Sequence, residues 1–302
     1  MPPVPAVRLA ARLAARLAVL SAVLAPGVAA QSLVIVGGGA RPATVVAEIV
    51  ALGGGPAGRL VVFPQASGDP AGVGAAQAAE FAVAGFGAAA AALGHPDADS
   101  TVALLDRATA VFFSGGDQSR LVAHLAGTRA LAAVRRLHAR GGVVAGTSAG
   151  AAVMSRVMLT GEETVNPDAD GAPFSTVEPG NVATAEGFGF VTWAVVDQHF
   201  VVRRRQNRLL SAVLDRPELL GIGVDEETAV VVAADGSLRV VGNRGVQIVD
   251  ARRASVEARG RGYAATDIRL HLLTSGDVLT PGRTVVSLAA PRPAPRPVTS
   301  PD

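Results

Sequence analysis

The pentapeptide Gly146-Thr147-Ser148-Ala149-Gly150 is the segment of the sequence whose residue types are best suited to chemistry. It directly follows the apolar run 143–145 and precedes residues 151–158, which are compatible with a helix. G-x-S-x-G between a buried strand and a helix is typical of a nucleophile elbow, where the serine hydroxyl projects from a sharp turn. We predict that Ser148 is a nucleophile. The alternative interpretation is a serine that only caps the helix.

Backbone amides near Ser148 are expected to bind the negative charge that develops during acyl transfer. The amide of Ala149 follows the serine, and a second glycine turn, residues 114–118, follows the apolar run 110–113. Since the carboxyl ends of parallel strands share one edge of a sheet, we predict that Gly116 and Ala149 donate to an oxyanion. We expect Asp117 and Gln118 to contact substrate. A plain turn or a phosphate-binding loop is the alternative.

His199 is the candidate general base among five histidines. It ends the segment Val195-Val196-Asp197-Gln198-His199, where we expect a base that meets the serine over the carboxyl edge of a single sheet. The other four histidines lie in a loop before proline, in helical segments or in an alternating, strand-like stretch. A purely structural histidine is the alternative.

A carboxylate should orient the imidazole of His199. Glu226 lies between two strand-like segments and is our choice, although spacing does not decide between it and its rivals, which are Asp225, Glu227, Glu162 and Glu163. Arg203 and Arg205 follow His199, and we predict that they bind a carboxylate of the substrate. The alternative is a solvated helix face.

The elements that must position these side chains follow from short apolar runs alternating with helix-compatible segments. Strands are predicted at 33–36, 60–63, 110–113 and 143–145, and helices at 43–51, 75–93, 119–125 and 130–140. This alternation favours an α/β fold with a mostly parallel, doubly wound sheet. After residue 219, runs at 228–233, 238–241 and 246–249 predict an antiparallel C-terminal extension of the same sheet.

Composition excludes several kinds of chemistry. The 302 residues contain neither cysteine nor lysine, which excludes a thiol nucleophile, a Ser-Lys dyad and a Schiff-base lysine. The net charge is +2 and no segment is densely basic, so we expect no nucleic-acid partner. Nothing in the sequence indicates a cofactor or a metal.

The chain divides into three parts by composition. Residues 1–30 carry three arginines, an apolar run at 17–24 and small residues before Ala30, as a signal peptide cleaved after Ala30 does. An N-terminal amphipathic helix is the alternative. We predict one catalytic domain over 31–286 and a disordered, proline- and arginine-rich tail over 287–302. The mature chain is expected to be secreted or periplasmic, without a membrane span.

Taken together, these motifs resemble those of the cyanophycinases, relatives of dipeptidase E among the serine peptidases. The resemblance covers roughly residues 31–282. It depends on four segments in order: 115–118, 146–151, 197–200 with Arg203, Arg205 and Arg208, and 221–226 with Thr228 and Ala229.

The resemblance implies a class I glutamine-amidotransferase-like fold with serine in place of that fold's cysteine. It also implies hydrolysis of cyanophycin, a polyaspartate with arginine attached to each side-chain carboxyl, to β-aspartyl-arginine dipeptides. By position, Ser148 is the nucleophile, His199 the base and Glu226 the best match for the carboxylate. A peptidase for short aspartyl peptides and a non-catalytic binding protein are the alternatives, and the sequence leaves a homodimer undecided.

Residues 160–181 depart from the family pattern because they are longer and more acidic than expected. An anionic rim that attracts guanidinium groups and a solvated loop are both compatible with its acidic residues, which are Glu162, Glu163, Asp168, Asp170 and Glu178. Residues 166–171 mimic half a calcium loop, but position twelve is Val177 rather than glutamate. Residues 36–39 also lack the full dinucleotide-binding pattern.

Overall fold

The computed structural model describes residues 31–165, 174–280 and 285–289. The predicted signal peptide, residues 166–173 of the acidic segment and all of the predicted tail beyond residue 289 lie outside the described residues. No helix within the described ranges has both the length and the apolar character needed to cross a membrane.

A nine-stranded sheet forms the centre of the fold, in the order β17-β16-β11-β10-β1-β5-β4-β2-β3. Its parallel half consists of β1 (Ser32–Val36), β5 (Val143–Thr147), β4 (Ala110–Phe113), β2 (Arg59–Phe63) and β3 (Ala88–Ala91). Its antiparallel half consists of β10 (Thr228–Val232), β11 (Leu238–Gly242), β16 (Val278–Thr280) and β17 (Val285–Ser287). The predicted fold class is confirmed: a mixed α/β fold with a largely parallel sheet.

A second, four-stranded sheet runs in the order β15-β12-β9-β8. It consists of β8 (Ala194–Gln198), β9 (Leu220–Val224), β12 (Gly245–Asp250) and β15 (Arg269–Thr274). Two separate hairpins pair β6 (Val157–Glu163) with β7 (Val182–Glu186), and β13 (Ser255–Arg259) with β14 (Gly262–Thr266).

Seven α-helices of the described residues pack against the two sheets. They are α1 (Ala43–Leu52), α2 (Pro70–Val83), α3 (Asp99–Asp106), α4 (Gln118–Leu125), α5 (Arg129–Ala139), α6 (Ala149–Ala152) and α7 (Gln206–Asp215). Apolar side chains of α1 and α2 pack on one face of the sheet. The other face packs against α3 to α6 and against one face of the second sheet, whose far face is covered by α7.

Two helix predictions were wrong. The segment 75–93 is not one helix, because α2 ends at Val83 and β3 follows at Ala88–Ala91. Alanine has a high helix propensity, yet Gly85 and Gly87 interrupt the helix and pairing with β2 makes the alanine run a strand. The segment 151–158 is not a helix either, since α6 ends at Ala152 and β6 begins at Val157.

The predicted antiparallel extension is correct for β10 and β11 but wrong for residues 246–249. That run belongs to β12, which pairs with β9 and β15 in the second sheet. The periodicity of a short apolar run defines a strand but not its partner, so the sequence did not separate the two sheets.

A buried ion pair fixes α7 against β8. Arg208 and Asp197 are 3% and 1% exposed, and the guanidinium bonds both carboxylate oxygens. Two buried charges are stable only while each compensates the other. This pair therefore ties the helix to the strand that leads directly into His199.

We predict that Asp197→Asn lowers the free energy of unfolding by about 3–5 kcal/mol, because Arg208 would then be buried without a countercharge. Urea denaturation measures the change. Asp99→Asn is the control, because its ion pair with Arg129 lies on the surface and such pairs contribute little. Equal stability of the Asp197 variant and the wild-type chain would contradict the prediction.

Candidate active site

Ser148 occupies a strained turn between β5 and α6. Its φ is 52° and its ψ is −114°, a backbone conformation that is uncommon for any residue except glycine. The Ser148 amide donates to the carbonyl of Val36 at the end of β1 (3.0 Å). The strand ends therefore hold this conformation. The helix α6 has only four residues, so its macrodipole adds little stabilisation of negative charge at Ser148.

The second glycine of the pentapeptide is required by close packing. A side chain at Gly150 would place its Cβ only 2.1 Å from the carbonyl oxygen of Phe113 in β4. The chain can therefore turn sharply after Ser148 and pass across the neighbouring strand only with glycine at this position.

The structure brings His199 to Ser148. His199 follows β8 with φ 50°, and its Nε2 lies 2.8 Å from the Ser148 Oγ. Its backbone amide donates to the carbonyl of Gly37 (2.7 Å), which directly follows β1. The nucleophile thus comes from the central sheet and the imidazole from the second sheet. The expectation that both sit on a single sheet was wrong.

Glu226 is the carboxylate that the structure places beside the imidazole. Its Oε1 lies 2.6 Å from Nδ1 of His199. Since a carboxylate only accepts, Nδ1 carries the proton and Nε2 accepts from the serine hydroxyl.

The rival carboxylates have other surroundings. Asp225 accepts from the amides of Val201 and Val202 and so anchors the loop after His199. Glu227 accepts from the side chain of Asn243, Glu163 accepts from that of Asn181, and Glu162 is exposed.

The surroundings lower the pKa of both the His199 imidazole and the Glu226 carboxylate. Burial lowers the pKa of His199, and the hydrogen bond that its Nδ1–H donates to Glu226 opposes that effect in part. The hydrogen bond with His199 is the main cause that lowers the pKa of Glu226. At neutral pH the pair therefore consists of a neutral imidazole and an ionised carboxylate, which is the state that a general base needs.

The predicted oxyanion donors have unengaged amides. Within the described residues, the N–H groups of Gly115, Gly116 and Ala149 donate no hydrogen bond. A side chain at Gly115 would lie 3.4 Å from Cβ of Ser148, so this turn borders the nucleophile as predicted. Gly115 is a further candidate donor, in addition to the predicted Gly116 and Ala149.

The glycine turn 37–39 is the part of the site that sequence reasoning missed. A side chain at Gly38 would lie 2.3 Å from the imidazole of His199, and one at Gly39 would lie 3.0 Å from Glu226. The backbone of this turn therefore packs directly against both side chains. The signal in the sequence is three consecutive glycines directly after the first strand.

Three of the four predicted substrate-binding residues already have partners in the protein. Asp117 caps α4 by accepting from the Ser119 amide (2.7 Å). Gln118 donates its side-chain amide to the carbonyls of Leu159 and Thr160 in β6. Arg205 donates to the backbone and side-chain oxygens of Gln198.

Glu178 does not contribute to an anionic rim at residues 160–181. This residue is 5% exposed and bonds Arg261, so its charge does not face solvent. Asp168 and Asp170 of the same prediction lie outside the described residues. Within the described part of the chain, no cluster of three acidic or histidine side chains has the arrangement of a metal site.

The comparison with protein families identifies the family of the chain. The model of peptidase family S51 matches residues 33–240. The chain belongs to peptidase family S51. This family of serine-type peptidases includes the cyanophycinases and peptidase E, so the resemblance seen in the motifs is confirmed.

Two curated relatives support this assignment. The chain is 39% identical over 189 residues to a cyanophycinase of Synechococcus elongatus, which covers 59% of the chain and 55% of the relative. It is 39% identical over 180 residues to a cyanophycinase of Geminocystis herdmanii, which covers 57% of the chain and 62% of the relative. The chain thus spans little more than half the length of these relatives.

A solved structure agrees with the fold. A peptidase from an acI-B1 actinobacterium superposes with a TM-score of 0.59 over 84% of the chain and 98% of its own length, at 24% identity. At this identity the similarity concerns the fold alone.

We predict that Gly38→Ala in this S51 peptidase lowers kcat at least about 100-fold, because the new methyl group displaces the imidazole and small misplacements of catalytic groups are costly. Gly55→Ala is the matched control, since Gly55 also has a positive φ but no atom within 4 Å of a new Cβ. Equal kcat values for the two variants would show that Gly38 is not needed to seat His199.

Proposed function

We propose that this protein is a serine peptidase that hydrolyses cyanophycin to β-aspartyl-arginine dipeptides through an acyl-enzyme on Ser148. The observation that carries the proposal is the continuous hydrogen-bonded series Ser148–His199–Glu226. Similarity to curated cyanophycinases supports the choice of substrate. Export of the mature chain stays a prediction based on residues 1–30.

The proposed reaction begins with proton transfer from the Ser148 hydroxyl to Nε2 of His199. The serine oxygen attacks the backbone carbonyl next to a substituted aspartyl residue, and Glu226 stabilises the imidazolium that forms. The amides around residues 115, 116 and 149 bind the oxyanion. Each such donor typically contributes about 3 to 4 kcal/mol.

The tetrahedral intermediate then breaks down to the acyl-enzyme. His199 protonates the amine that leaves, and the C–N bond breaks to give an ester on Ser148. A water molecule then gives its proton to His199 and attacks the ester. His199 then returns this proton to the serine oxygen as the C–O bond to Ser148 breaks, which releases the acid product and the free serine.

We predict that Ser148→Ala releases no β-aspartyl-arginine from purified cyanophycin, whereas the wild-type mature chain does. Mass analysis of the soluble products measures both. The thermal unfolding midpoint should stay nearly unchanged, because the side chain contributes no core packing. Dipeptide release by the variant would remove Ser148 from the mechanism, and exclusive cleavage of short aspartyl peptides by the wild-type chain would replace the proposed substrate.

The pH dependence of kcat/KM provides a test of Glu226. Since burial lowers the pKa of His199, the acid limb of wild-type activity should lie below pH of about 6.5, the usual histidine value. Glu226→Gln removes the carboxylate that raises this pKa, so the limb should move to lower pH. The rate should also fall by up to roughly 10⁴-fold.

The matched control for Glu226 is Glu257→Gln, which changes an exposed glutamate of β13. Its pH profile should coincide with that of the wild-type chain. An acid limb of the Glu226 variant that stays in place or moves to higher pH would contradict the assignment.

A further inference from the structure

The oxyanion turn, residues 114–117, rests on the segment that follows β2. The Ser114 amide donates to the carbonyl of the last residue of β2 (3.0 Å), and the Asp117 amide donates to the carbonyl of Ala66 (2.8 Å). Gly116 has a φ of 138°, and a Cβ at this position would lie 2.0 Å from the same Ala66 oxygen. Backbone contacts therefore hold both ends of the turn, while the amides between them stay free.

A side-chain hydrogen bond ties this turn to α2. The hydroxyl of Ser114 donates to Oε1 of Gln77. Ser114 is fully buried and Gln77 is 9% exposed, so water does not compete for the bond, and a hydrogen bond in such surroundings is stronger than one in water. The oxyanion turn is thus anchored to the middle of a helix that lies 37 residues earlier in the chain.

Gln77 occupies a position of α2 that packing alone would give to an apolar residue. Gly74, Gln77 and Phe81 are the buried residues of this helix, and spacings of three and four place them on one face. A Cβ at Gly74 would lie 2.8 Å from that of Ala91 in β3, and the ring centroid of Phe81 lies 5.0 Å from that of Phe112 in β4. A polar side chain on such a face costs free energy unless it is hydrogen-bonded, so the bond to the oxyanion turn accounts for the glutamine.

The same helix also supports the other glycine turn of the site. Glu80, one helical turn after Gln77, accepts from Nε of Arg41 (3.0 Å). Arg41 closely follows the turn 37–39, which packs against the imidazole and the carboxylate of the triad. The helix α2 is therefore connected to both glycine turns, and it fixes one relative to the other.

We propose that Gln77 is a positioning residue: through Ser114 it fixes the oxyanion turn and so aligns the free amides of Gly115 and Gly116 with the substrate carbonyl. This inference rests on the proposed function, in which these amides bind the oxyanion. Hydrogen-bond donors stabilise a transition state most when they need no reorganisation at the moment of reaction. Gln77 acts through the turn and does not itself contact the reacting atoms.

Gln77→Met tests the proposal, because it removes the acceptor and keeps most of the side-chain volume. We expect kcat on cyanophycin to fall about 10-fold or more with KM nearly unchanged, since the alignment of the amides matters in the transition state. The thermal unfolding midpoint should also fall by a few degrees, because the Ser114 hydroxyl of this variant is left buried without its acceptor.

A double variant separates positioning from a purely structural role. Gln77→Met combined with Ser114→Ala removes both partners of the bond, so most of the lost thermal stability should return. The value of kcat should stay low, because the turn still lacks its anchor. Tyr263→Phe is the control for destabilisation alone: it removes a hydrogen bond to Asp215 on the β13–β14 hairpin, and it should lower the midpoint without changing kcat.

The rate at which a fluorophosphonate labels Ser148 provides a readout that does not depend on the natural substrate. The phosphoryl oxygen takes the place of the oxyanion, so labelling should also slow about 10-fold or more in the single and the double variant. Unchanged kcat and labelling in Gln77→Met would overturn the proposal. Recovery of both rates together with stability in the double variant would also overturn it.

These readouts distinguish failure of the positioning role from failure of the proposed function. A wild-type chain that is labelled but releases no dipeptide refutes the proposed substrate, while slower labelling of the two variants retains the role of Gln77. Dipeptide release at equal rates by the wild-type chain and both variants retains the function and refutes that role. A wild-type chain that is neither labelled nor active refutes both.

Discussion

The backbone of Gly37 and Gly38 joins the two sheets, and the geometry of the triad depends on this junction. The Gly37 carbonyl accepts from the His199 amide, and its N–H donates to Thr228 at the start of β10. The Gly38 carbonyl accepts from Glu227, next to the carboxylate that orients the imidazole. Because these bonds join main-chain atoms at strand ends, rigid elements rather than flexible side chains fix the separation of Ser148, His199 and Glu226.

The charged groups around this junction keep His199 neutral and in place. The imidazole of His199 is buried enough to remain neutral. Glu226 stays ionised and accepts the hydrogen bond from the Nδ1–H of His199. On the other side of His199, the buried pair of Asp197 and Arg208 fixes the strand that precedes it. The same segment, residues 197–208, thus provides both the base and its structural anchor.

Local patterns were sufficient to predict four of the five parallel strands of the central sheet and the side chains that meet. Ser148, His199 and Glu226 each follow or lie between short apolar runs, and such runs end at sheet edges in this class of fold. The partner of a strand is a long-range property, so β12 was assigned to the wrong sheet. The run 88–91 was read as helix because alanine propensity outweighed two glycines. The role of residues 37–39 depends on close contacts with segments 160 to 190 positions away, which spacing does not encode.

Labelling with a serine-directed fluorophosphonate tests the central claim most directly, because it requires a serine activated by a nearby base. Intact-mass analysis and peptide mapping should find one adduct, on Ser148, in the wild-type chain and almost none in His199→Ala. An adduct on another serine, or equal labelling of the two proteins, would contradict the pairing of Ser148 with His199.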